Sequence, residues 1–143
     1  MAKFLRVLLP ALLLLPVAAI AADEDGPEHH KGPERVFEMR IYTAAEGKLP
    51  DLMARFRNHT NYLFVKHGMD LIGYWTPTEG DGAGNTLVYL LAHDSREAAA
   101  ASWKAFGSDP AWKAAAAESR KDGRLVAKIE NQWLEATDFS PLR

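Results

Sequence analysis

The hydrophobic period of this chain switches between two and about three and a half residues in a set order, and that order leaves few folds open. VFEMRIYT (Val36 to Thr43) alternates: Phe37, Met39 and Ile41 point one way, Glu38, Arg40 and Tyr42 the other. Period two with β-branched and aromatic side chains predicts a half-buried strand. Leu49, Leu52, Met53, Phe56, Thr60, Leu63 and His67 then recur every three or four residues, the pattern of an amphipathic helix. Pro50 suits its first turn, and Gly68 suits a left-handed stop. Met69 to Thr76 and Thr86 to His93 read as two more strands joined by the turn-rich PTEGDGAGN. Those glycines do not make a phosphate loop, which needs a strand-to-helix junction. A second helix is predicted from Asp94-Ser95-Arg96-Glu97, with Asp94 as its cap and Trp103 and Phe106 on its buried stripe. Asp109 caps a helical restart, Pro110 takes its first position and Trp112 anchors it. Leu125 to Ala136 alternates again, with Ala127, Ile129 and Trp133 on one side and Lys128, Glu130 and Gln132 on the other.

The order β-α-β-β-α-β predicts an α+β, ferredoxin-like domain: a four-stranded antiparallel sheet with helices on one face. Right-handed crossovers give the strand order 4-1-3-2. If Phe37, Met39 and Ile41 meet the helices together with Val88, Leu90 and Ala92, the alternate residues line the uncovered face. That places Glu38, Arg40 and Tyr42 between Tyr89 and His93 on one side and Lys128, Glu130 and Gln132 on the other. So mixed a polar and aromatic surface is expected to line a ligand pocket or a wet subunit interface. Glu38, Arg40 and His93 are its candidates for chemistry.

The chain starts with Lys3 and Arg6, an apolar run from Leu8 to Ile20 and the small residues Ala19-Ile20-Ala21. That succession predicts a bacterial-type signal peptide (1–21), cleaved near Ala21 or Ala22, and a periplasmic or secreted protein not held at the membrane. A flexible charged leader (22–35), one domain (36–139) and a short tail (140–143) are expected to follow. Removing 21 of 143 residues leaves 122, enough for one core. Taking Lys3 and Arg6 from the 17 basic residues leaves 15 against 19 acidic ones, which excludes the basic footprint of a nucleic-acid binder. With no cysteine, no disulfide reinforces the fold.

His59 and His67 do not form a metal pair. Eight residues of helix rise about 12 Å, whereas a zinc ligand sits about 2 Å from its metal. No metal site is expected. His67 is expected to close the helix end, His59 to pack at the flank of the stripe or reach a pocket rim, and His93 to serve proton transfer or a structural hydrogen bond.

Phe37 to Thr43, followed by Glu46-Gly47-Lys48-Leu49, resembles the E-x-R-x-Y-T opening of NIPSNAP domains. Phe56-Arg57-Asn58-His59-Thr60, Lys66-His67-Gly68 and Asp109-Pro110-Ala111-Trp112 are similar to that family as well, so the resemblance spans about Val36 to Phe139. It implies a dimeric α/β barrel, two ferredoxin-like sheets face to face with helices outside, and therefore a homodimer. Fold relatives include antibiotic-biosynthesis monooxygenases, haem-degrading monooxygenases and chlorite dismutases. The expected function is a binding or interaction module with a polar-aromatic cavity, a small-molecule ligand and no cofactor. The alternative is a cofactor-light monooxygenase or isomerase, in which Arg40 holds an anionic group and Glu38 or His93 moves a proton. Non-covalent haem on His59 or His93 is a weaker option.

Overall fold

The structure is a computed structural model and describes residues 35–142. The expected signal segment and nearly all of the charged leader lie outside the described residues. The elements follow the expected order: β1 (Val36–Ala44), α1 (Leu49–Arg55), a π-helical turn (Phe56–Thr60), α2 (Asn61–Lys66), β2 (Asp70–Trp75), β3 (Thr86–His93), α3 (Arg96–Ser108), α4 (Pro110–Glu118) and β4 (Val126–Glu135). The strands form one antiparallel sheet in the order β2-β3-β1-β4, the predicted ferredoxin-like arrangement.

The first helical run is continuous but not uniform. Arg55, Phe56, Thr60 and Asn61 all keep right-handed helical dihedrals, while the Asn61 N–H bonds back to the Phe56 carbonyl, one residue further than in an α-helix. The Thr60 hydroxyl donates to the Arg55 carbonyl at 3.3 Å. Arg55, Phe56 and Thr60 are buried around this wider turn, while His59 faces solvent. Gly68 ends the run with φ +75° and its N–H on the Val65 carbonyl, as expected of a left-handed stop.

Two caps hold the second helical region. The cap of α3 is Ser95 and not the expected Asp94: the Ser95 hydroxyl oxygen accepts from the Ala98 N–H at 3.1 Å. Asp109 caps α4 as expected, its Oδ1 accepting from the Ala111 N–H at 2.8 Å. Its Oδ2 accepts from Lys66 Nζ at 2.7 Å and bonds His67 Nε2 at 2.8 Å, tying the end of α2 to the start of α4. Hydrogen bonds from Lys66 and His67 and the Ala111 N–H hold the Asp109 carboxyl well below the usual carboxylate range. Its stabilising effect is therefore complete above its unfolded value of about 3.9 and is lost as pH falls below that. Asp109→Asn is expected to flatten the loss of stability between about pH 4 and pH 2, measured by urea unfolding at each pH.

The core lies between the helices and one face of the sheet, around Tyr42, Leu52, Phe56, Phe64, Leu87, Tyr89, Leu91 and Phe106. Its composition reverses the expected facing of β1 and β3. Glu38 pairs with Leu91, Arg40 with Tyr89 and Tyr42 with Leu87, and this set meets the helices. Phe37, Met39, Ile41, Val88, Leu90 and Ala92 occupy the other face, on which no described helix packs. The expected facing of β4 is retained: Ile129 pairs with Tyr42, Trp133 with Glu38, and both lie on the helix side. Lys128, Glu130 and Gln132 consequently share a face with Ile41 and Met39 and not with Glu38 and Arg40.

Candidate functional site

Glu38, on a central strand, is 1% exposed, and a carboxylate so placed needs donors to replace water. Three reach it. Arg40 donates to Oε1 at 3.0 Å, and the Trp103 indole on α3 donates to Oε2 at 2.7 Å. His93 Nε2, from the end of β3, lies 3.2 Å from Oε2. Burial pushes the Glu38 carboxyl up, but the hydrogen bonds from His93 and Trp103 and the Arg40 charge outweigh it and hold the group below its ordinary value. An ionised carboxylate only accepts, so His93 Nε2 carries the hydrogen. His93 Nδ1 is buried without a partner among the described residues, and the ring lies 5.9 Å from that of Trp133.

The Arg40 guanidinium sits 4.3 Å from the centre of the Trp103 ring and 5.7 Å from that of Tyr42. Tyr42 meets Tyr89 edge to face at 5.2 Å. Burial pushes the Tyr89 hydroxyl well above its ordinary value and that of Tyr74 up to about 12, so both stay neutral phenols at physiological pH.

Beyond Tyr42 and Trp103 a cleft of about 250 Å³ opens between the sheet and the helices. Its floor is Tyr42 on β1 with Val126 and Ile129 on β4. Phe56, Thr60 and Phe64 form one wall, and Trp103, Phe106, Trp112 and Ala116 the other. Arg55, Arg120 and Arg124 line it as well. Such a concavity, apolar with a few polar groups, suits retention and orientation of an organic molecule.

Of the nine residues expected at a pocket, Glu38, Arg40, Tyr42, Tyr89 and His93 gather on the helix side, and Tyr42 reaches the cleft itself. Lys128, Glu130 and Gln132 do not join them; they are exposed on the opposite face, where Lys128 pairs with Glu130 at 3.1 Å. His59 is exposed on the π-helical turn and lines no part of the cleft. His93 is likewise off the cleft and committed to Glu38, so neither histidine is placed as the axial ligand of a haem bound there. Among the described residues no group of three or more His, Asp or Glu is positioned for a metal ion.

Sequence reasoning passed over Arg55, Arg120 and Arg124. Arg55 alone left a signal, a cation three residues after Leu52 on an otherwise apolar stripe. The link from Trp103 to Glu38 spans 65 residues and left none.

A search of curated proteins finds no match. Solved structures similar to this chain include a NIPSNAP family protein from Agrobacterium tumefaciens, 26% identical with a TM-score of 0.71, covering 80% of this chain and 96% of that one. An uncharacterised NIPSNAP-like domain protein from Burkholderia xenovorans is 21% identical with a TM-score of 0.67, covering 77% and 91%. SnoaB, a cofactor-independent oxygenase from Streptomyces nogalater, shares the fold at 17% identity and a TM-score of 0.51, covering 76% and 98%. The NIPSNAP family model matches residues 37–141, from the first core strand through the tail after β4. With a match over that span, and with the same fold in solved family members, this chain belongs to the NIPSNAP family.

Proposed function

We propose that this protein is an exported NIPSNAP-family binding module that pairs with a second copy of itself and holds a small organic molecule in the cleft between sheet and helices. The cleft carries this reading: about 250 Å³ walled by Trp103, Trp112 and Phe106 with guanidinium groups on its lining. Ligand sites of this kind combine aromatic walls with a few polar groups that set orientation. Export is supported by the basic start, apolar run and small residues of 1–21; N-terminal sequencing of protein from the cell exterior should begin near Ala22 or Asp23. Pairing is supported by Met39, Ile41, Val88 and Leu90, half-buried on the sheet face without a described helix. Two such faces bury each other at about 10 Å separation. A strict monomer at micromolar concentration in sedimentation would remove pairing from the account.

The tryptophans supply the test of the cleft. Trp103 and Trp112 line it, whereas Trp75 and Trp133 do not and serve as internal controls. Titrating one- and two-ring organic compounds should shift the indole N–H resonances of Trp103 and Trp112 saturably, with Trp75 unmoved. If no compound shifts those two, or if all four move alike, the cleft is not a binding site.

A second reading, an enzyme that moves a proton at a small substrate, draws on the buried Glu38–His93 pair and the unpartnered Nδ1 of His93. Turnover of a small substrate, with a pH profile altered by His93→Gln in protein that remains folded, would favour it, although this pair does not line the cleft. Retention of the ligand unchanged over hours would remove it.

A further inference from the structure

Arg55 is 9% exposed, with its Nε out of reach of solvent. A guanidinium stays protonated at any physiological pH, so a buried one needs an anion or a full set of acceptors. Arg55 has neither among the described residues. Its NH1 makes one long bond, 3.4 Å to the Ser119 hydroxyl, and its Nε is buried without a partner. The Trp112 ring, 5.2 Å from the guanidinium carbon, gives partial compensation. Arg40 provides the contrast: it lies on the same side of the sheet and is matched by Glu38 at 3.0 Å. Arg120 and Arg124 line the same cleft, and neither has a carboxylate within ion-pair distance among the described residues. Arg120 spends its Nε–H on the Ala116 carbonyl at 2.7 Å. Three cations thus converge on one aromatic cavity with no acidic side chain in its lining.

The geometry points to an aromatic carboxylate as the ligand of this cleft, its ring against the wall formed by Trp103, Phe106 and Trp112 and its carboxylate on Arg55, with Arg120 and Arg124 adding long-range attraction. This rests on the reading of the cleft as a small-molecule site and specifies its chemistry. A planar carboxylate matches the guanidinium fork, and the bond gains strength where water is excluded. Size narrows the class further. An apolar cavity of about 150 Å³ holds benzene, so one of 250 Å³ accommodates a single ring with a short acid arm or two fused rings.

The experiment compares 2-naphthoate with its neutral isostere naphthalene-2-carboxamide on the full chain, by quenching of tryptophan fluorescence and by calorimetry. The naphthoate is expected to bind at least about tenfold tighter, with the advantage shrinking in high salt. Arg55→Gln should weaken the naphthoate far more than the carboxamide and cut that preference to the few-fold that Arg120 and Arg124 sustain. Arg124→Gln, at a more exposed position, should cost the naphthoate about two- to fivefold and serves where the Arg55 variant fails to fold. Equal binding of the two compounds, or preference for the carboxamide, overturns the anion anchor and leaves the cleft as a binding site. Binding of neither overturns the cleft reading itself.

Discussion

Replacing Glu38 by alanine is expected to lower the folding stability by about 3–5 kcal/mol, the range for removing one member of a buried ion pair. The loss has three sources. The Arg40 charge, on a side chain 16% exposed, would be left without its counter-ion. The Trp103 indole N–H and His93 Nε2–H would be left without acceptors in a site closed to water. A cavity would remain where the carboxylate had been. For a domain of this size the melting temperature should fall by about 12–20 °C. Glu38→Gln keeps the shape and one acceptor, so its cost should be smaller, and most of what remains should vanish when Arg40→Met is combined with it. A Glu38→Ala variant within about 1 kcal/mol of wild type by urea unfolding would show that water reaches the network.

Phe64→Ala should cost a similar amount, about 3–5 kcal/mol, by a different mechanism. The ring is 1% exposed and is surrounded by Phe106 at 4.9 Å, Trp103 at 5.3 Å, Tyr89 at 6.0 Å and Phe56 at 6.1 Å. Those neighbours belong to three separate elements, so no one of them is free to close the gap. The variant also bears on function, because Phe64 forms part of the cleft wall. Its loss enlarges the cleft toward α3. Tyr62, two residues earlier and 72% exposed, provides the control: Tyr62→Ala should change stability by no more than about 0.5 kcal/mol. Equal effects at the two positions would contradict the packing described here.

How far the sequence reaches differs from element to element. The Gly68 stop, the α4 cap at Asp109 and the four strands are written in local chemistry, and each stands where its residues predict. Ser95 displaced Asp94 as the α3 cap because two adjacent oxygen-bearing residues compete for one role and the backbone angle decides between them. The π-helical turn at Phe56–Thr60 left no mark in the periodicity: one inserted residue in a run of 18 is absorbed by the ordinary variation between three and four. His59 stands outward on that turn, whereas Arg55, three residues after Leu52, faces inward by ordinary helical period.

Period two establishes that Glu38, Arg40 and Tyr42 share a face with one another; it does not say which face the helices cover. Hydrophobicity favoured burying Phe37, Met39 and Ile41, and on a sheet with one wet side that choice follows. Here both faces of β1 are substantially buried, and the helix side accepts a carboxylate because donors arrive from residues 55 and 65 positions away along the chain. The sequence by itself determined the element order, the antiparallel strand order, the family and the residues that neighbour one another across β1 and β3. Only the tertiary structure decided which side of the sheet the helices cover, that Lys128, Glu130 and Gln132 stand apart from Glu38, and that Arg55 is enclosed beside Trp112 without an acid. The physical reason is that alternation and helical period are local, whereas the compensation of a buried charge depends on groups that only folding brings together.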